Sequence, residues 1–264
     1  MNLFIIIFFI ITGIVLRYLY YWKPKTMEQF YNNTPLFFAH RGYRNKEPEN
    51  TLSSFSEAIK KGAQVLEVDV LCTKDREVVC SHNYELEIQT DLSGDISGLE
   101  YSYIKTANVG HRWENKNDYI PKLIDVLRVG SEKTKFNIEI KTKKITDMLT
   151  ARKVLEIIKK EKISNRVLIS SFNPLVLWYI KWMDSNIRTG YLYDNPKLLF
   201  LKNIIHPDCI HPNASLISKN LITHCRERGL RINVWTVNNK PSIHWLIKLG
   251  VDGVITDNST FFSS

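Results

Sequence analysis

The chain has 264 residues, 44% of them hydrophobic, and carries 36 lysines and arginines against 27 aspartates and glutamates, a formal net charge of +9. That length buries a large core as one α/β barrel or as two smaller domains, and four cysteines (Cys72, Cys80, Cys209, Cys225) with neither CxxC spacing nor the density of a disulfide scaffold read as small buried thiols of a reducing compartment, with two bridges as the alternative. The positive balance favours anionic partners, but the basic residues are scattered and no zinc finger, RNA-binding aromatic signature or basic helix accompanies them, so no nucleic acid is expected.

The first segment, from Leu3 to Leu16, is uncharged and mostly apolar. Continued as a helix to Trp22 it reaches about 30 Å, the thickness of a bilayer core, with Arg17 snorkelling to the headgroups. A cleaved signal peptide would start with basic residues and end on small ones, whereas this segment starts Met1-Asn2-Leu3 and ends on Tyr18, Tyr20, Tyr21 and Trp22, an interfacial aromatic belt. A single-pass transmembrane anchor is therefore expected over residues 1–22. Arg17, Lys23 and Lys25 follow the apolar run and place the remaining chain on the cytoplasmic side. A polar linker over 23–34 leads to one catalytic domain over 35–264.

Strand and helix patterns then alternate: strand 36–40, helix 51–61, strand 65–71 and a short strand 78–81. Residues 83–121 break the rhythm with Gly94, Gly98 and Gly110 among polar residues, an inserted excursion. A helix follows Leu123. Alternation resumes with strand 136–141, helix 146–162, strand 167–171, helix 174–183, strands 187–192 and 208–211, helix 215–228, strand 230–237, helix 240–249 and strand 253–256. Eight main strands with intervening helices predict a TIM (β/α)8 barrel with an insertion after the second strand, and no GxGxxG or Walker loop supports a nucleotide-binding alternative.

Chemistry concentrates where apolar runs end. In Val65-Leu66-Glu67-Val68-Asp69-Val70 the side chains alternate, so Glu67 and Asp69 share one face and Leu66, Val68 and Val70 the other. Asn137, Glu139 and Lys141 repeat the pattern, and His40-Arg41 and His82 stand beside other strand ends. Two histidines, inward carboxylates and basic side chains at strand ends suit an acid-base enzyme working on an anionic substrate with a metal. By contrast His111, His206, His211, His224 and His244 read as satisfied core or surface residues, Lys143 and Lys144 as a solvated face, and Trp178, Trp182 and Trp245 as packing residues of outer helices.

The ordered set His40-Arg41-Gly42, Pro48-Glu49-Asn50-Thr51, Glu67-x-Asp69, Thr73-Lys74-Asp75, Ser81-His82, Ile120-Pro121-x-Leu123, Asn137-x-Glu139-x-Lys141, Ser170-Ser171-Phe172, Trp235-Thr236-Val237-Asn238 and Gly250-Val251-Asp252-Gly253 resembles the glycerophosphodiester phosphodiesterase family over about residues 36–258. The N-terminal apolar segment looks like that of membrane-bound members acting on lysophospholipids. The resemblance implies a TIM barrel, with Glu67, Asp69 and Glu139 binding a divalent cation, Mg²⁺ or Ca²⁺. It also implies His40 and His82 as the acid-base pair, Arg41 and Lys141 on phosphate oxygens and Trp235 lining the glycerol or acyl-chain pocket. His82 is alternatively a metal ligand. The chain departs from the family at Asn83, where an aspartate usually follows the histidine, an exchange that lowers the histidine's basicity. A catalytically silent lipid-binding barrel and a lyase of the sphingomyelinase D type are the competing expectations.

Overall fold

The computed structural model describes residues 3–32, 35–113 and 116–262. It opens with helix α1 (Leu3–Tyr20). Among the described residues nine strands follow: β1 Leu36–His40, β2 Val65–Cys72, β3 Val78–Cys80, β4 Lys135–Ile140, β5 Val167–Ser171, β6 Arg188–Tyr193, β7 Cys209–Pro212, β8 Arg231–Val234 and β9 Gly253–Thr256. The helices between them are α2 Leu52–Lys60, α3 Tyr101–Ile104, α4 Leu123–Val129, α5 Leu149–Glu161, α6 Pro174–Met183, α7 Lys202–Ile205, α8 Lys219–Arg228 and α9 Lys240–Leu249.

Eight strands run parallel in the order β1-β9-β8-β7-β6-β5-β4-β2, and β1 pairs back onto β2 to close the barrel. The helices wrap the outside because their caps and apolar faces leave them no other packing. Thr51 accepts from Ser54 N at the start of α2, Asn173 caps α6 just before Pro174, and Gly229 and Gly250 end α8 and α9 in left-handed conformations (φ +72° and +83°). Phe55, Val154, Val176 and Ile180 then press onto Leu66, Val68, Ile138 and Ile169 in one continuous core. β3 pairs antiparallel with β2 and begins the excursion, which has its own small core of Leu71, Val79, Leu86, Ile96, Ile104 and Ile120. The expected barrel and the insertion after its second strand are both present.

Several boundaries differ from expectation, for local reasons. Helix α8 starts at Lys219 rather than 215, because Ser218 caps it and residues 214–216 form a separate 3₁₀ turn capped by Asn213. Strand β8 ends at Val234, so Trp235 lies just beyond it in a lone bridge with Asn213. The turn 196–201 and α7, between β6 and β7, answer to no periodic apolar pattern.

The N-terminal region departs further. The expected 22-residue span is an 18-residue helix, and among the described residues no helix is long and apolar enough to cross a membrane. The helix stops before Trp22 and Pro24 because proline disfavours helical backbone ahead of it and because Trp22 stacks on His206 (centroids 4.9 Å apart). Met27, Phe30 and Tyr31, expected in a polar linker, are buried against Phe38, Val65, Leu168 and Ile255. Lys135 Nζ donates to Phe30 O at 2.5 Å, and Asn233 Nδ2 donates to the Tyr31 hydroxyl at 2.6 Å. Residues 27–31 thus cover the barrel floor at the N-terminal ends of its strands. Asn33 and Thr34, the end of the expected linker, lie outside the described residues, as do Met1, Asn2 and the final residues of the expected domain.

Trp178, Trp182 and Trp245 are not packing residues. They are 47%, 70% and 49% exposed. All four cysteines are buried and free, as expected of reduced thiols.

Candidate active site

The C-terminal ends of β1, β2 and β4 meet because their registers align His40 with Glu67 and Asp69 with Glu139 across neighbouring strands. The inward faces of β2 and β4 therefore bring three carboxylates together, with one oxygen each from Glu67, Asp69 and Glu139 within 4.8 Å of the others. Around them a cavity of about 100 Å³ is lined by His40, Arg41, His82, Lys141, Phe172 and Trp235, among others. Every site residue expected from the sequence is at this one mouth; Asp69 alone stands behind the cavity wall, held by Arg41 and Lys141.

The turn after β1 explains how Arg41 reaches the acids. Arg41 and Gly42 both take positive φ (+55° and +85°), and a side chain at position 42 would place its Cβ 2.7 Å from the Ser54 carbonyl carbon. That bend aims the Arg41 amide at Glu67 Oε2 (3.0 Å) and its Nε at Asp69 Oδ2 (3.0 Å), while its terminal nitrogen binds Glu49 Oε1 at 2.8 Å. Lys141 Nζ lies 3.1 Å from Asp69 Oδ1 and 2.5 Å from Glu139 Oε1. Asn50 donates to Asp69 Oδ2 at 3.0 Å and accepts from the Asp69 amide at 3.2 Å, which fixes that carboxylate's plane.

The electrostatics follow. Burial, reinforced by Asp69 and Glu139, pushes the Glu67 carboxyl well above the usual range. Burial raises Glu139 to about 7, against the pull of Lys141. Burial would raise Asp69 as well, but Lys141 and Arg41 outweigh it and hold this carboxyl far below normal. Acids raised by burial and by one another's charge are what a bound cation would relieve. Three carboxylates facing two cationic side chains carry one net negative charge; a divalent ion makes the site positive by one, and a phosphodiester monoanion then balances it. The all-oxygen donor set fits a hard cation such as Mg²⁺ or Ca²⁺.

The two histidines are held differently. His40 Nδ1 donates to Asp257 Oδ1 at 2.8 Å, and Asp257 is itself fixed by the Asn238 amide donating to Oδ2 at 2.7 Å. His82 Nδ1 lies 3.1 Å from Asn83 Oδ1, an amide partner rather than a charged one. Burial pushes the His82 pKa down; Asp69 opposes this, and Lys141 and Arg41 add to it. Trp235 is locked by its indole N–H donating to His211 O at 2.7 Å and stands edge-on to Phe172, with centroids 5.4 Å apart. The sequence leads to no site role for Asp257, Asn50 or Asn238, Asn50 being expected only as an alternative to Thr51 for the cap of α2. The available signal for Asp257 was its place directly after the last barrel strand.

Of the remaining histidines, His211 is fully buried, with burial pushing its pKa down to about 3, in keeping with its expected place in the core.

Comparison with known proteins agrees with this geometry. A glycerophosphodiester phosphodiesterase of Caldanaerobacter subterraneus subsp. tengcongensis is 32% identical over 84% of this chain and 94% of its own. A lysophospholipase D of Mus musculus is 26% identical over 84% of this chain and 83% of its own. The fold matches that of an Oleispira antarctica phosphodiesterase solved in complex with the product sn-glycerol-3-phosphate, with a TM-score of 0.78 and 24% identity over 86% of this chain and 95% of that one. Residues 40–260 match the model of the glycerophosphoryl diester phosphodiesterase family. The chain thus belongs to that family and is an enzyme of its class, a phosphoric diester hydrolase.

Proposed function

We propose that the chain hydrolyses glycerophosphodiesters to sn-glycerol 3-phosphate and a free alcohol, with His40 as base and His82 as acid. The observation that carries this reading is the pair of imidazoles, each held through Nδ1, beside three clustered carboxylates in one cavity. Asp257 stabilises the imidazolium that forms when His40 takes a proton from the nucleophile. The lowered pKa of His82 makes it a stronger acid toward the leaving alkoxide, and the approaching phosphodiester anion favours its protonated form. One P–O bond forms to the nucleophile and the bond to the alcohol breaks, the proton of His82 leaving with the alcohol. Arg41 and Lys141, already oriented by Asp69, would turn spare N–H donors to the phosphoryl oxygens. Trp235 and Phe172 wall the glycerol side. A divalent cation held by Glu67, Asp69 and Glu139, Mg²⁺ or Ca²⁺, would supply Lewis-acid stabilisation of charge developing on the phosphoryl group.

Lysophospholipids form a second substrate class, supported by the mouse lysophospholipase D relative. The same reading takes α1 as a bilayer-embedded anchor, since Phe4, Phe8, Phe9, Ile10 and Ile14 are more than half exposed around its circumference. Arg17, Lys23 and Lys25 at its end support a cytoplasmic barrel by the positive-inside tendency.

Purified full-length protein is to be given glycerophosphocholine and lysophosphatidylcholine in parallel, with Mg²⁺, Ca²⁺ or chelator, and the products identified. Cation-dependent release of glycerol 3-phosphate or its acylated form, reduced about a hundredfold or more in His40→Ala and in His82→Ala, is expected. Near-normal rates in either variant remove that histidine from the mechanism.

A further inference from the structure

Helix α1 and the catalytic mouth lie at opposite ends of the barrel. The chain enters from α1 at the N-terminal ends of the strands, where the Lys25 amide donates to Oδ1 of Asp208, the residue before β7, and 27–31 cover the floor. The acids and histidines stand at the C-terminal ends. Barrel strands of this length, tilted, separate the two ends by roughly 15–20 Å.

Beside the entry point is a groove of about 380 Å³ between α6 and the end of α1, lined by Tyr18, Trp22, Lys23, Lys25, Trp178 and Trp182, among others, with no carboxylate among its lining residues. The rings of Trp178 and Trp182 stack 6.1 Å apart and 8° from parallel, yet both face solvent. The Trp22 indole N–H is buried without a hydrogen-bond partner, and Tyr21 beside it is 78% exposed. The exposed indole faces of Trp178 and Trp182, beside Lys23 and Lys25, whose ammonium groups have no carboxylate within salt-bridge distance among the described residues, match a bilayer interface, while Lys181 of the same groove is paired with Asp208 at 2.8 Å. There aromatic rings lie at headgroup depth and lysines are drawn to an anionic surface. The groove is also continuous with the exposed apolar helix.

We infer that this groove docks the barrel floor onto an anionic phospholipid bilayer, which turns the catalytic mouth toward water. The inference rests on α1 being embedded in lipid. It narrows the substrate: the site meets glycerophosphodiesters in solution and lysophospholipids only as monomers that have left the bilayer. Membrane attachment then serves to localise the enzyme, and the lipid surface itself is not presented to the mouth.

The full chain is to be reconstituted into vesicles of phosphatidylcholine alone or with phosphatidylglycerol, carrying a fluorophore on a single introduced cysteine. Ser185→Cys reports the groove, and Ile145→Cys reports the loop after β4 at the mouth. Quenching by headgroup-attached quenchers is expected to be at least about threefold stronger at position 185, greater with phosphatidylglycerol, and to lose that increment in the Lys23→Glu, Lys25→Glu double variant. Protein that fails to float with vesicles refutes the anchor and the docking together. Protein that floats but is unquenched at 185, or equally quenched at 145, keeps the anchor and overturns the docking face, leaving the groove to a protein partner.

Discussion

Asp257→Asn tests the catalytic assignment most directly, because it removes a charge while keeping the shape. The carboxylate holds His40 Nδ1 at 2.8 Å, and the two side chains are only 13% and 15% exposed. With charge centres about 4 Å apart and an effective dielectric constant near 20, the imidazolium formed in the transition state gains about 4 kcal/mol from Asp257. The asparagine dipole and residual solvent recover part of this, so a net loss of roughly 2–3 kcal/mol is expected, a fall of about thirty- to 150-fold in turnover. The KM is expected to hold, because the interaction strengthens only as His40 gains its proton. The assay is release of glycerol 3-phosphate from glycerophosphocholine at saturating cation, in the native and the His40→Ala backgrounds. A loss below about threefold, or the same loss with His40 already absent, refutes the reasoning, since a positioning residue has nothing to act on without its histidine.

Glu67→Gln is expected to abolish turnover and cation binding while leaving the circular dichroism and thermal transition near native, because the amide relieves the crowding of the three acids; full activity of the native chain in chelator would end the metal assignment. Asn83→Asp places a negative charge beside His82 Nδ1. The pKa of that histidine, now held down by burial, rises, so the alkaline limb of the pH–turnover profile moves to higher pH if His82 is the acid. An unmoved limb makes residue 83 a loop residue only. Removing residues 1–20 is expected to release the enzyme from membranes with turnover of glycerophosphocholine changed less than about twofold; a large loss on this soluble substrate would show that α1 supports the fold.

The parts legible in the sequence were those governed by short-range alternation. Glu67 and Asp69 declare their shared face within three residues, as do Asn137, Glu139 and Lys141, and the closed barrel follows from the succession of such strands. The parts that were not legible depend on contacts between distant positions. Asp257 meets His40 across 217 residues through the pairing of β1 with β9, and Asn50 meets Asp69 only because a left-handed backbone at Asn50 turns its amide inward. Met27, Phe30 and Tyr31 stand at i, i+3 and i+4, but they span a single turn, in which the Phe30 and Tyr31 amides both donate to Met27 O, and one turn is too short for its period to mark a core element. Trp178 and Trp182 were misjudged for the opposite reason: helical spacing shows that two residues share a face, but not what that face meets.

The floor segment belongs to the catalytic domain although it precedes the first strand. A soluble fragment beginning at Pro35, where the sequence pattern would suggest a cut, strips the cover from Phe38, Val65, Leu168 and Ile255 and forfeits burial of three large side chains, at most about 5–8 kcal/mol, comparable with the whole stability of many domains. A fragment beginning at Lys23 keeps them. A cut between Pro24 and Met27 is expected to leave an intact barrel, whereas a cut a few residues later leaves its underside open, so the site of cleavage decides between keeping the activity and destroying it.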